Sequence, residues 1–142
     1  MKKYRMLEFP QLGDDRGQLV VVEQLKEIPF DLKRIFYIYG TKGEVARGQH
    51  ANRRSEFVLI NLNGSCKVLV DDGMNDSEVI VLDQPHTGVY LDKMVWKEMF
   101  DFSSDSILLV LASELYDKSE YINTYAEFSD EVKKNEEILT ER

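Results

Sequence analysis

A covalent framework is the first thing this sequence lacks, since Cys66 is its only cysteine in 142 residues. One thiol excludes an intrachain disulfide and leaves too few thiolates for a structural zinc site. Its neighbours Lys67-Val68-Leu69-Val70 read as a buried strand. Long apolar runs are also missing: Ile107 to Ala112 falls far short of the roughly 20 residues that span a bilayer. The start, Met1-Lys2-Lys3-Tyr4-Arg5-Met6, does not lead into the apolar centre of a signal peptide, so a cytoplasmic location with no membrane partner is expected. An excess of basic charge is absent as well. A net charge of -8 argues against a general nucleic-acid binder, which needs a basic surface for phosphate contacts. No internal repeat, Gly/Ser linker or low-complexity stretch divides the chain, and one domain over residues 1–142 is expected.

The composition that remains, 43% hydrophobic and 31% charged, is that of a soluble globular protein. Short strand-like runs separated by turn signals predict a sandwich or barrel. They are Leu19 to Gln24, Arg34 to Tyr39, Phe57 to Leu62, Cys66 to Val70, Val79 to Leu82, Gly88 to Leu91, Val95 to Met99 and Ile107 to Ala112. Asn63-Gly64 and Asp72-Gly73 fall between runs, and both pairs favour hairpin turns because Asn, Asp and Gly tolerate positive φ. Beyond Ser113 the spacing of Tyr121, Ile122, Tyr125 and Phe128 fits one face of a helix. The expected layout is a barrel over about 1–113 and a helical segment over about 117–140.

The charge is unevenly spread. Lys33, Arg34, Lys42, Arg47, Arg53 and Arg54 lie between positions 33 and 54 against one acid, Glu44, which points either to a local anion site or to a solvated basic loop. The same segment holds His50, whereas the other histidine, His86, follows Pro85 in an expected exposed turn. A lone histidine has two readings, a hydrogen-bonded structural residue or a proton carrier whose ordinary pKa lies near neutrality.

The stretch from Gly43 through Arg47-Gly48-Gln49-His50-Ala51-Asn52 to Glu56 and Gly64 resembles the first cupin motif, a glycine, then His-x-His, then a glutamate and a glycine. The resemblance implies a mainly β cupin (double-stranded β-helix, or jelly-roll) barrel with these side chains inside. His50 and Asn52, two apart on a strand, share a face. Metal-binding cupins use both histidines, the glutamate and a histidine from a later strand. Here Asn52 stands at the second histidine and Lys97 at the later one, which leaves only His50 and Glu56 as good ligands. No metal site is expected.

Over nearly its whole length the chain further resembles the dTDP-4-keto-6-deoxyglucose 3,4-ketoisomerases. The shared marks include Asp15-Arg16-Gly17, Lys33 to Ile38, Arg47 to Ala51, Leu62 to Cys66, Asp71-Asp72-Gly73, Trp96 to Met99 and Phe102 to Asp105. The resemblance implies an isomerase without cofactor, a dTDP-linked keto sugar as substrate and a homodimer with N-terminal strand exchange. His50 is carried over as the base and acid that moves a proton from C3 to C4 through an enediol. Tyr37 is the candidate hydroxyl near the keto oxygen, and Arg47, Arg53 and Arg54 are candidates for the diphosphate. Asn52 and Trp96 are candidates for lining the pocket. Lys97 and Arg16 occupy positions that vary between gluco- and galacto-forming relatives. They point in opposite directions, with a slight lean to gluco. A 3,5-epimerase and a cupin that only binds a sugar nucleotide remain the alternatives.

Overall fold

Alternation of buried and exposed residues gathers the strands into two antiparallel sheets that face each other. The protein is described by a computed structural model over residues 2–42 and 44–140. Met1, Gly43 at the start of the cupin-like stretch, Glu141 and Arg142 lie outside the described residues. One sheet runs, in spatial order, β1 (Tyr4–Glu8), β7 (Thr87–Leu91), β4 (Phe57–Asn63), β9 (Ile107–Ala112) and β2 (Arg34–Tyr39). The other runs β10 (Tyr121–Ile122), β3 (Arg47–Asn52), β8 (Trp96–Phe100), β5 (Cys66–Asp71) and β6 (Ser77–Leu82). Leu59, Val89, Leu91, Leu108 and Val110 from the first sheet meet Cys66, Val68, Val70 and Leu82 from the second in a central core. This is the mainly β, cupin-type barrel expected from the sequence. Cys66 is buried there as expected, and burial pushes its thiol up to about 12.

Three expectations about elements change. Leu19 to Gln24 forms no strand, apart from a single bridge between Gln24 and Ile28. Its alternating Val20 and Val22 join Phe9, Ile28, Phe30 and Leu32 in covering the outer face of the first sheet, against Val58, Ile60, Tyr90 and Leu111. An apolar period of two is satisfied by lying on a sheet face as well as by pairing with an edge. Asn63-Gly64 is a turn, with Gly64 at φ +69, but it joins β4 and β5 in opposite sheets rather than within a hairpin. Asp72-Gly73 does close a hairpin, β5 to β6.

The third change concerns the C-terminal segment. Residues Lys118–Glu120 form a short 3₁₀ turn capped by Asp117, and Tyr121–Ile122 form β10, so only Tyr125–Thr140 is helix (α1). Thr124 starts that helix, its hydroxyl accepting from the Glu127 N–H. Phe128 and Ile122 pack with Trp96 and Ala51 on the outer face of the second sheet. Burying a ring such as Phe128 contributes on the order of 2–3 kcal/mol. β1 pairs with β7 of its own chain, Tyr4 opposite Leu91 through Glu8 opposite Thr87. Among the described residues no helix is long and apolar enough to cross a membrane.

Candidate active site

The local geometry of the site starts with an irregularity in β3. Arg47 pairs with Met99 and Gly48 with Glu98, but the next pair is His50 with Lys97, so Gln49 is an extra residue in a bulge. Gly48 (φ +86) and Gln49 (φ +57) both adopt left-handed backbone there. Strict alternation from Arg47 would turn Gln49 inward and His50 outward. The bulge shifts the parity by one, so Arg47 and His50 both line a cavity of about 130 Å³ between the sheets. Phe36, Ile38, Phe57, Leu59, Met99 and Val110 form its apolar walls, and Lys97 and Tyr121 complete it.

His50 Nδ1 lies 3.0 Å from the Gly48 carbonyl. A carbonyl can only accept, so Nδ1 carries the hydrogen and Nε2 keeps its lone pair. Burial, joined by the Lys97 charge, lowers the imidazole to about 4, against the opposing effects of the Gly48 carbonyl and Glu120. At neutral pH the ring is uncharged. Lys97, 4% exposed, donates from Nζ to Asn52 Oδ1 at 3.0 Å and lies 4.2 Å from the centre of the Phe57 ring. Burial lowers its amine to about 7, with Glu120 opposing and Arg34 adding to the effect.

Two residues at the site were not singled out from the sequence. Tyr121 stands with its ring 4.7 Å from the His50 ring, centre to centre. Glu120 is 1% exposed, and its carboxylate accepts from the Ser55 hydroxyl and from the Ser55 and Arg54 backbone N–H groups. Burial pushes this carboxyl up, but those bonds outweigh it, so it lies below its ordinary value. Glu120 ends the 3₁₀ turn and Tyr121 begins β10, where Tyr121 pairs with Asn52 and Ile122 with Ala51. A two-residue strand carries no readable period.

The remaining sequence candidates separate by strand face. Asn52 is buried inside with Lys97, as the shared face with His50 requires. Tyr37 is not in the cavity: Phe36 and Ile38 face inward, and Tyr37 stands between them on the outer face of β2, 61% exposed and stacked on Tyr39. Trp96 likewise faces away from the cavity, because its neighbour Lys97 points in. Its indole donates to Glu98 and its ring packs on Phe128. Arg53 and Arg54 are paired with Glu131 and Asp117, and Arg16 with Asp14 in an exposed turn, so none of the three lines the cavity. Glu56 turns to the outer face of β4, where it accepts from the Tyr90 hydroxyl, away from His50. Among the described residues no three His, Cys, Asp or Glu side chains are grouped to hold a metal.

A jelly-roll barrel whose interior holds a neutral imidazole and a buried amine on paired strands defines a cupin-type protein. Comparison with known proteins narrows that class. The family described as FdtA: WxcM-like, C-terminal, matches residues 2–133. TDP-4-oxo-6-deoxy-alpha-D-glucose-3,4-oxoisomerase of Aneurinibacillus thermoaerophilus is 49% identical over 124 residues, 87% of this chain and 88% of that protein. The crystal structure of a 3,4-ketoisomerase from Helicobacter canadensis is 44% identical, with a TM-score of 0.90 over 94% of this chain and 99% of that one. A histidine-to-asparagine mutant of the 3,4-ketoisomerase QdtA from Thermoanaerobacterium thermosaccharolyticum, in complex with TDP-4-keto-6-deoxyglucose, is 38% identical, with a TM-score of 0.90 over 94% of this chain and 96% of that one. The chain belongs to the FdtA family, and this membership supports the sugar 3,4-ketoisomerase expected from the sequence.

Proposed function

We propose that this chain moves the keto group of TDP-4-keto-6-deoxyglucose from C4 to C3, without a metal or organic cofactor, by proton transfer at His50. The observation that carries this reading is the tautomer imposed by the Gly48 carbonyl, which leaves Nε2 free beside a buried amine. An imidazole held near 4 is a weak base, so most of the barrier lowering must come from stabilising the enolate oxygen. Lys97 is the group for that task. As the C3 proton passes to Nε2, the Lys97 ammonium gives a proton to the oxygen on C4, and the charge that depressed His50 disappears with it. The neutral amine then takes the proton from the C3 hydroxyl while the imidazolium delivers its own to C4. The result is a 3-ketone, a C4 hydroxyl and both side chains restored, with the gluco configuration at C4 as the favoured product.

In this reading Asn52 positions Lys97 instead of touching the sugar, Tyr121 replaces Tyr37 as the hydroxyl beside His50, and Arg47 faces the diphosphate. The working unit in this reading is a cytoplasmic homodimer in which β1 takes, on the partner's β7, the place it holds on its own β7 in the single chain. The long irregular connection between β1 and β2 supplies the reach for such an exchange.

The experiment is incubation with TDP-4-keto-6-deoxyglucose in D2O, followed by NMR. A 3-keto product supports the isomerase, with protium kept at C4 where His50 returns the proton it took from C3 and deuterium there where the imidazolium exchanges with solvent first; exchange at C3 and C5 with the ketone still at C4 indicates an epimerase. Binding without exchange leaves a binding module. Sedimentation of the chain with and without residues 1–8 tests the dimer.

A further inference from the structure

We propose that Lys97 has a second chemistry: in its uncharged form the Nζ amine condenses with the keto carbon of the bound sugar to a reversible imine, which makes the cavity a covalent trap for ketones. The proposal rests on the ketoisomerase reading above and goes beyond it, since an imine is no step of the isomerisation. Lys97 is 4% exposed and lines the cavity opposite His50 in the β3–β8 register. Phe36, Phe57, Leu59, Met99 and Val110 make the surrounding wall apolar. The acceptor for Nζ is the amide oxygen of Asn52 at 3.0 Å, a neutral group and not a carboxylate. A neutral amine keeps that bond with one N–H and still presents a lone pair. A lysine desolvated in an apolar pocket, or set beside another cation, is the kind of amine that forms Schiff bases with carbonyl compounds.

The surroundings of Nζ decide how often it is uncharged. Burial favours the amine most, Glu120 in the 3₁₀ turn opposes it, and Arg34 on β2 adds to it, bringing the group down to about 7. His50 on β3 is neutral at that pH, and β4 and β5 present the uncharged Phe57 and Val70. Roughly half of the chains therefore carry a free amine at pH 7. Within the proposed cycle the amine is free only while the sugar is an enediol and offers no ketone, so turnover itself does not form the imine. The branch lies at binding. Keto sugar that meets the ammonium is isomerised, and keto sugar that meets the amine is condensed. In the condensation the Nζ lone pair bonds to C4 and the carbonyl π pair moves to oxygen, which receives one nitrogen proton through His50 Nε2. The hydroxyl leaves as water with the second nitrogen proton, and a C4=Nζ double bond remains. Nothing is oxidised or reduced, and water reverses the step.

The test mixes the wild type with TDP-4-keto-6-deoxyglucose at pH 6, 7, 8 and 9 and quenches with borohydride, which reduces an imine to a stable secondary amine. Mass spectrometry maps the tagged peptide, and parallel samples without borohydride give the rate of 3-keto product formation. The expected tag sits on Lys97, rises about tenfold from pH 6 to pH 8 and then levels off, while product formation falls over the same range. Excess TDP suppresses the tag. Because the wild type is mapped directly, the result does not depend on a variant folding. No tag on Lys97, a tag confined to other lysines, or one indifferent to TDP overturns the proposal. A tag that climbs through pH 9 without levelling, as an amine of ordinary basicity gives, also overturns it. Product without a tag defeats the imine alone, and a tag on Lys97 without product defeats the ketoisomerase reading instead.

Discussion

Lys97 and His50 stand directly opposite each other in the β3–β8 register, and the lysine charge helps to keep the imidazole neutral. One partner is therefore a free base at neutral pH while the other titrates there. The bulge at Gln49 is what puts both on the same side of the sheet.

The pH dependence of kcat/KM follows from this pair. In the proposed mechanism His50 acts only when neutral, so activity should fall as pH drops through about 4, and Lys97 acts as an ammonium, so activity should fall as pH rises through about 7. The profile is a bell whose limbs belong to the coupled pair. In K97R the guanidinium stays protonated and cannot relay the proton between the two oxygens, so kcat falls steeply and the residual activity has no alkaline limb near 7. An unchanged alkaline limb in K97R would remove Lys97 from the mechanism.

Stability should vary with pH for the same reason. Below about 7 the Lys97 amine is charged in both folded and unfolded chains, and its burial opposes folding. Above its unfolded value near 10.5 it is neutral in both, and the penalty vanishes. Between those limits the unfolded chain binds more protons, so stability rises with pH. K97M lacks this term. Urea titrations at pH 7 and pH 10 should show the wild type gaining on K97M by on the order of 2 kcal/mol.

How much of this was legible depends on what each residue type signals locally. The strands β2, β4, β5, β7, β8 and β9 follow from short apolar runs bounded by turn signals, one face of each lying on the central core. The pairing of His50 with Asn52 on one face follows from the strand period of two. Tyr37 did not, because Arg34-Ile35-Phe36-Tyr37-Ile38-Tyr39 is apolar on both faces and parity alone does not say which one turns inward. Trp96 and Lys97 are adjacent on one strand, so only one of them can enter the barrel. That constraint was readable. The bulge was not, since Gly48-Gln49 has no side-chain pattern that marks an extra residue. Glu120 sits in an acidic segment that reads as solvated, and its burial comes from β10 docking on β3, a long-range contact.

Gly48 offers a test of the bulge that leaves His50 itself untouched. A Cβ at this position would lie 3.1 Å from the Lys97 carbonyl oxygen and 3.2 Å from Met99 Sδ, on a backbone at φ +86 that a side chain strains. G48A should therefore cost about 1–3 kcal/mol in chemical denaturation. Because the Gly48 carbonyl also sets the His50 tautomer, kcat should fall at least tenfold with TDP affinity retained. A variant that is destabilised but keeps full kcat would show that the bulge supports only the fold.

Glu120 provides the sharpest separation of structural from electrostatic effects. Its carboxylate gathers three donors from Arg54 and Ser55, so E120A strands them and should lose about 2–4 kcal/mol. E120Q keeps one acceptor oxygen and should lose less. Because the folded carboxyl lies below its ordinary value, this stabilisation is present above the unfolded carboxylate range and is lost as pH falls through the folded value. The wild type and E120Q should therefore converge in acid. Glu120 also raises Lys97, so removing its charge should move the alkaline limb of the rate profile to lower pH in E120Q. A residue that only braced the 3₁₀ turn would change stability and leave that limb where it was.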